Sequence, residues 1–471
     1  MTKTLTSGSP MKLIFCFALP TLFGMLFQQM YNMVDTVIVG KLLGAQALAA
    51  VGATGSINFL VIGFCTGVCG GFAIPVAQQM GAENHSQMRR YVANAAYLSA
   101  ILAVVMTVAT GILCGHILTA MDTPADIYRD SYRYIFIIFM GIPATYLYNL
   151  LSGIIRSLGD SKTPVIFLAM SSVLNIGLDF IFILHGGLGV AGAAIATVVS
   201  QGVSGLACLG YMCLRFPILR LSREERRPDA AVSWTLMTIG VPMGLQYSIT
   251  AIGSIILQSA VNGLGSLYVA AVAAGAKLLQ ILACPYDAMG TAMATYCGQN
   301  AGAGKLDRLG QGVRDCSLLG LVYALAAAIS MMVFAPFCAM WFIDPQEEEL
   351  ALLVALVSRY IRISTAFFFP LALVNIVRFS IQGMGFSTFA VLAGVLEMIA
   401  RSVTGRYFVP ALGFEAACFA SPAAWVCADL FLIPACVFCI YQLRRRGIKL
   451  ENRQKQHHRH LHGLRMRHSH A

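Results

Sequence analysis

The chain alternates long apolar runs with short polar gaps, and that alternation leaves few folds open. Apolar runs occupy about 12–39, 48–80, 90–117, 131–155, 163–184, 188–214, 233–261, 268–298, 313–341, 353–381, 387–409 and 415–443. A helix needs roughly 20 apolar residues to cross a bilayer. In lipid the backbone must satisfy its own hydrogen bonds, so runs of this length become helices. The expected fold is an all-α integral membrane protein with twelve transmembrane helices. Only 11% of the 471 residues are charged, against roughly 25% in soluble domains. No apolar run precedes a small-residue cleavage site, so no removable signal peptide is expected.

The formal net charge is +11, but the cations lie in the gaps between runs. No stacking-aromatic or groove-reading motif accompanies them, so they suit anionic lipid rather than nucleic acid. With the N-terminus inside, inner gaps hold Arg89 and Arg90, Arg156 and Lys162, five arginines between Arg215 and Arg227, Lys305, Arg308 and Arg314, and Arg444, Arg445, Arg446 and Lys449. Outer gaps hold Lys41 and Arg129 and otherwise carry acids: Asp122, Asp126 and Asp130, then Asp344 and Glu347 to Glu349. The bias puts both termini in the cytoplasm; the expected location is a cell membrane, the inner membrane of a bacterium.

The longest basic gap, "RFPILRLSREERRPDAAVS" at 215–233, falls mid-chain, and the sequence on either side repeats. "LLGAQALAAVGA" from 42 answers "GLGSLYVAAVAA" from 263, and "QQMGAEN" from 78 answers "QNAGAGK" from 299. "RSLGDS" from 156 answers "QGMGFS" from 382, and "GLGVAGAA" from 187 answers "ALGFEAAC" from 411. Six spans per copy insert the same way up, related by a pseudo-twofold axis along the membrane normal. The expected organisation is an N-terminal six-helix lobe with a cation site at 1–214 and a cytoplasmic linker at 215–232. A C-terminal six-helix lobe at 233–445 and a basic, His-rich cytoplasmic tail at 446–471 complete it.

An ionisable group at mid-bilayer costs about 2.5–3.5 kcal/mol on insertion scales, so it faces a bundle interior or a cavity. "QQMYNMVDTVIVG" at 28–40 places Gln28, Asn32 and Asp35 on one helix face, beside Tyr31, and Gln28, Tyr31 and Asn32 are expected to line the substrate cleft. "SVLNIGLDFIFIL" places Asn175 and Asp179 one turn apart; Asn149 with Ser152, and Thr197 with Gln201, form further stripes. Two carboxylates with amide and hydroxyl oxygens suit Na⁺, or a carboxylate pair that takes up a proton. The other reading of Asn149, Ser152 and Thr197 is helix-to-helix hydrogen bonding. The second copy lacks this cage. Asp35 faces Ile256 and Asp179 faces Gly405, while Arg378, Glu397 and Arg401 look self-compensating. Asp287, taken as the one further acid of that half, either meets substrate in the cleft or sits at the Pro285 kink; Tyr247 is a second cleft candidate there. Pro20 and Pro242 hold matched places, and bending at Pro20 would move Asp35.

Cys436 and Cys439 form a C-x-x-C without nearby acid or histidine, and they read as small membrane residues rather than a redox or zinc motif. The stretch "HHRHLHGLRMRHSH" at 457–470 reads as a membrane-surface tail, with metal binding as its alternative. No cofactor is expected.

The chain resembles the multidrug and toxic compound extrusion (MATE) family over about residues 10–445. The resemblance rests on "PTLFGMLFQQMYNMVDTVIVGKLLGAQALAAVG", "GVPMGLQYSIT", "IIRSLGDSKTPV", "LNIGLDFIFI", "GVAGAAIATVVSQ" and "GQNAGAGK". The Asp35 context and the Asn175/Asp179 stretch resemble the DinF-type branch. That likeness implies a cation site at Asp35, Asn149, Asn175, Asp179 and Thr197; at Ser152 related members can carry Asn, an amide oxygen lost here. It also implies efflux of amphiphilic, often cationic compounds in exchange for H⁺ or Na⁺; a monomer is expected. A lipid-linked-precursor flippase of the same superfamily would call for cleft cations where the first lobe offers acids. A membrane hydrolase would need Asp35 and Asp179 as a dyad, and no H-E-x-x-H, G-x-S-x-G or P-loop accompanies them.

Overall fold

The computed structural model describes residues 4–121, 123–341, 343 and 349–468; for Ala45 and residues 446–468 it describes the backbone alone. The outer-gap acids Asp122, Asp344, Glu347 and Glu348, and the side chains of the 446–471 tail, lie outside what is described.

Helices α1 (Pro10–Leu43), α2 (Ala45–Ala53), α3 (Gly55–Gly81), α4 (His85–Ala120), α5 (Ala125–Met140), α6 (Ile142–Ser157), α7 (Lys162–Phe180) and α8 (Val190–Arg215) make the first half. The second holds α9 (Ala230–Asn262), α10 (Ser266–Gly302), α11 (Leu306–Ala339), α12 (Leu350–Ala366), α13 (Phe368–Gly383), α14 (Ser387–Val403), α15 (Val409–Leu412) and α16 (Phe414–His468). Among the described residues ten helices are long and apolar enough to span alone, and two bent pairs bring the number to twelve: α5 with α6 at 45° and α12 with α13 at 51°. The sequence read each pair as one continuous run. Each bend falls just before a proline, Pro143 or Pro370, in the first turn of the second helix, where the ring removes an N–H and crowds the preceding turn. The second expected span divides at Thr54 into α2 and α3, and Gly44, at φ +86, turns the chain between α1 and α2. π-helical turns follow α7 (Ile181–His185) and α14 (Thr404–Phe408) at corresponding places, so the repeat extends to its irregularities.

Helices in lipid gain little by hiding apolar surface and associate through close packing. The α3–α9 contact shows how. A Cβ on Gly71 would stand 2.5 Å from Gly240 Cα, and one on Gly67 would stand 2.8 Å from Gly244 Cα. α1 and α9 tie the lobes together. Ile14, Phe17 and Ala18 of α1 sit in the core of the second lobe, whereas Ile38 and Val39 sit in that of the first. Val232 and Leu236 of α9 return the exchange.

On the face where the basic gaps emerge, the lobes are sealed. A Cβ on Gly81 would lie 1.9 Å from Gln299 O, and one on Gly302 would lie 1.8 Å from Gln78 O. Gln299 Nε2 donates to Ser157 O at 2.9 Å and Gln78 Nε2 to Gly383 O at 3.0 Å. Leu5 N donates to Gln299 Oε1 at 2.7 Å, drawing the N-terminal segment into the seam.

The mid-chain linker is anchored on the same face. Arg89 Nη2 and Nε donate to the Glu225 carboxylate at 2.7 and 2.8 Å, with Ser86 Oγ and Ser222 N adding donors. These donors, Arg89 first, hold the Glu225 carboxyl well below the usual carboxylate range. A depressed folded value stabilises above the unfolded one, about 4.3, and the contribution is lost as pH falls through the folded value. Glu225→Gln should therefore lower thermal stability at neutral pH, by about 1.5–3 kcal/mol for charged hydrogen bonds. Melting curves of the two proteins should converge on acidification; a constant gap from neutral pH to about 3, below that reference value, would show that Arg89 is not its source.

Candidate functional site

The polar stripes converge at one place in the first lobe. Tyr31 and Asp35 come from α1, Asn175 and Asp179 from α7, and Thr197 from α8. The carboxyl groups of Asp35 and Asp179 are close enough to interact. Thr197 Oγ1 receives Asn175 Nδ2 at 3.4 Å, lies 3.3 Å from the Tyr31 hydroxyl, and donates to Ala193 O at 3.1 Å. Buried Tyr134 of α5 completes the wall, close enough to feel both carboxyls and Tyr31.

The oxygens of this cluster are unmatched. Asp35 Oδ1, Asn175 Oδ1 and both Asp179 oxygens are buried without a hydrogen-bond donor. Buried acceptors in that number need a positive partner. The donor set is all oxygen, hard and partly anionic, so the residues present fit a proton or a small hard cation such as Na⁺.

Asn149 and Ser152 do not enter these hydrogen bonds. They line a cavity of about 300 Å³ between the lobes, together with Gln28, Gln201, Tyr247 and Arg156. Asn149 Nδ2 donates to Thr145 O at 2.9 Å, and Ser152 is buried near the Tyr148 hydroxyl. The carboxyl cluster lies along the same helices. Asp35 is two turns beyond Gln28 on α1, Asn175 one turn beyond cavity-lining Ser171 on α7, and Thr197 one turn from Gln201 on α8. Asn32 is exposed on α1, outside the cavity lining.

Asp287 of α10 is exposed although it interacts with Tyr247 and buried Arg378. It lies 15 residues from Gly302, roughly 22 Å from the seam along α10.

In the second lobe Glu397 pairs with Arg378 and, at 3.3 Å, with Arg401; all three are buried. Buried Asp429 of α16 interacts with Arg378 as well. Asp287 is therefore not the one extra acid of that half. Asp429 hides in the apolar run "WVCADLFLIP", where its partner 51 positions back cannot be inferred from helical spacing. Two arginines and two acids balance, as buried charges must to be tolerated. Cys436 and Cys439 are buried free thiols, and no metal-ligand cluster occurs among the described residues.

Comparison with known proteins agrees with this architecture. The MatE family model matches residues 20–181 and 242–405, one segment in each half. The probable multidrug resistance protein YpnP of Bacillus subtilis (strain 168) is 31% identical over 372 residues, covering 79% of this chain and 82% of the relative. The probable multidrug resistance protein YoeA of the same organism is 30% identical over 338 residues, 70% of this chain and 73% of that protein. An outward-facing structure of a multidrug resistance MATE family transporter superposes with a TM-score of 0.85 at 22% identity, over 94% of this chain and 98% of that one.

Proposed function

Since the chain belongs to the MatE family, we propose that it exports amphiphilic small molecules in exchange for H⁺ or Na⁺ by alternating access. It is a multi-pass membrane transporter and not an enzyme. The observation that carries the exchange reading is the set of four buried, donorless oxygens on Asp35, Asn175 and Asp179. One positive charge is what such a site lacks, and one entering ion can supply it.

The coupling runs through α1. Its first half packs in one lobe, its second half carries Asp35 in the other, and Pro20 lies between. A charged, unmatched pair favours water in the site; a neutralised pair lets α1, α5, α7 and α8 close on each other. α1 then shifts against the second lobe, and the cleft changes side. We assign Asp35, Asp179, Asn175 and Thr197 to ion binding, with Tyr31 and Tyr134 as their wall. Asn149, Ser152, Gln28 and Tyr247 we assign to the substrate cavity. Both machineries are complete within one chain, so the monomer is the working unit. The excess of Lys and Arg on the sealed face supports cytoplasmic termini in a bacterial cell membrane.

Everted membrane vesicles test this reading. An imposed H⁺ or Na⁺ gradient should drive uptake of a fluorescent amphiphile well above the rate in vesicles lacking the protein. At fixed membrane potential, adding and removing Na⁺ tells the two ions apart. Uptake indifferent to both gradients would remove antiport.

A further inference from the structure

The inter-lobe cavity carries one formal charge, and that charge is positive. Among the lining residues Arg156 is the one ionised side chain; the other polar groups are amides and hydroxyls. Arg156 sits in the last turn of α6, next to Ser157, whose carbonyl accepts Gln299 across the seam. Arg156 therefore enters the cavity lining beside the seam. No carboxylate pairs with it among the described ion pairs. The groups that act on it are Tyr148, Cys208 and Tyr247, all neutral side chains. The Tyr148 hydroxyl donates to Pro164 O at 3.2 Å and stands near Ser152, buried one turn before Arg156.

Nearby acids are engaged elsewhere. Asp160 accepts Lys162 N and Thr163 Oγ1. Asp35 and Asp179 interact with each other two turns along α1, and Asp287 lies beyond Thr291, farther from the seam, beside Tyr247 and Arg378. A cation in the last turn of a helix is favourable in itself, but that role calls for no enclosure. Here the guanidinium lines a cavity whose apolar walls include Met25, Met243 and Phe379. Its planar fork of donors matches carboxylate, sulfonate or phosphate oxygens.

We propose that this cavity is an anion-binding site, in which Arg156 receives the acidic group of an amphiphile whose apolar body lies against the Met and Phe walls. The proposal rests on the efflux reading and narrows its cargo from amphiphiles in general to those with an anionic head.

Two xanthene dyes of similar shape and opposite charge provide the test: fluorescein, anionic, and rhodamine 123, cationic. Binding to the full chain in lipid nanodiscs is measured by fluorescence anisotropy, and gradient-driven movement in proteoliposomes. The native protein should bind fluorescein at least tenfold more tightly than rhodamine 123. Arg156→Gln should lose about tenfold in fluorescein affinity and none in rhodamine 123 affinity, with Arg156→Lys between the two. Gln28→Glu, an isosteric change on an exposed cavity residue, should weaken fluorescein and strengthen rhodamine 123; it decides the matter if Arg156→Gln does not fold. Tighter rhodamine 123 binding by the native protein, or equal losses for both dyes in Arg156→Gln, overturns the anion site. In those cases continued gradient-driven movement of rhodamine 123 leaves the efflux reading standing. If neither dye binds or moves under any gradient, both readings fall together.

Discussion

Replacing Asp35 by Asn should reduce gradient-driven export to the rate seen without a gradient, while leaving expression and folding intact. The substitution puts an NH₂ donor where the structure has an unpaired acceptor. That donor can reach the facing Asp179 carboxylate, so the pair is satisfied permanently and no longer needs a cation to enter and leave. Coupling free energies between sites run at about 1–3 kcal/mol, or 5–150-fold in affinity, and the whole of that term is at stake. Thermal stability should hold or rise, because a buried charge that lacks a partner is costly and its removal is neutral or favourable. Asp179→Asn should behave alike, and the double variant should be no worse than either single one, since the two carboxyls act as a unit. The measurement is uptake of a fluorescent amphiphile into everted vesicles at matched protein levels. Undiminished uptake by Asp35→Asn under both H⁺ and Na⁺ gradients would remove the carboxyl pair from the coupling mechanism.

Much of this site could be read from spacing alone, for a physical reason. Lipid penalises polar groups so heavily that Asp35, Asn175 and Asp179 stand out against their apolar runs, and helical periodicity shows which of them share a face. The same filter is blind to aromatic residues. Tyr134 belongs to the cluster wall, yet in "YRYIFIIFM" it looks like any other interfacial or packed ring. It is blind at span ends too. Arg156 reads as one more basic residue of an inner gap, and only the fold turns it into the cavity. Spacing brought Asn149 and Ser152 into the first lobe's polar set, but it does not carry depth along the membrane normal. Both line the cavity, on the second helix of the bent α5–α6 pair. The repeat was legible as four short matches; the seam those matches build was not, since a glycine in sequence does not reveal what its missing side chain would strike.

That seam makes the second large prediction. Gly81 and Gly302 occupy equivalent ends of α3 and α10, and a methyl group on either would lie within 2 Å of a backbone carbonyl of the other lobe. Backbone cannot step aside as a long side chain can, so Gly81→Ala with Gly302→Ala should prevent the lobes from meeting on the basic face. Overpacking costs about 1–3 kcal/mol per site in well-packed interiors. Moving a two-state balance from 1:99 to 99:1 takes about 5.5 kcal/mol. The pair together therefore reaches much of the range needed to favour the opposite shape, in which the cleft opens toward the basic face. The other shape does not contain the clash, so each lobe should fold as before. Spin labels at Glu83→Cys and Asp307→Cys, both exposed beside the seam, should report a separation larger by about 10 Å, roughly a helix diameter. Exposed Cys16, Cys213 and Cys427 are removed first. Net export should fall with it, because a cycle that cannot close one side cannot complete. An unchanged label distance with full export would mean that α3 and α10 stay in contact through the cycle, and that the lobes open elsewhere.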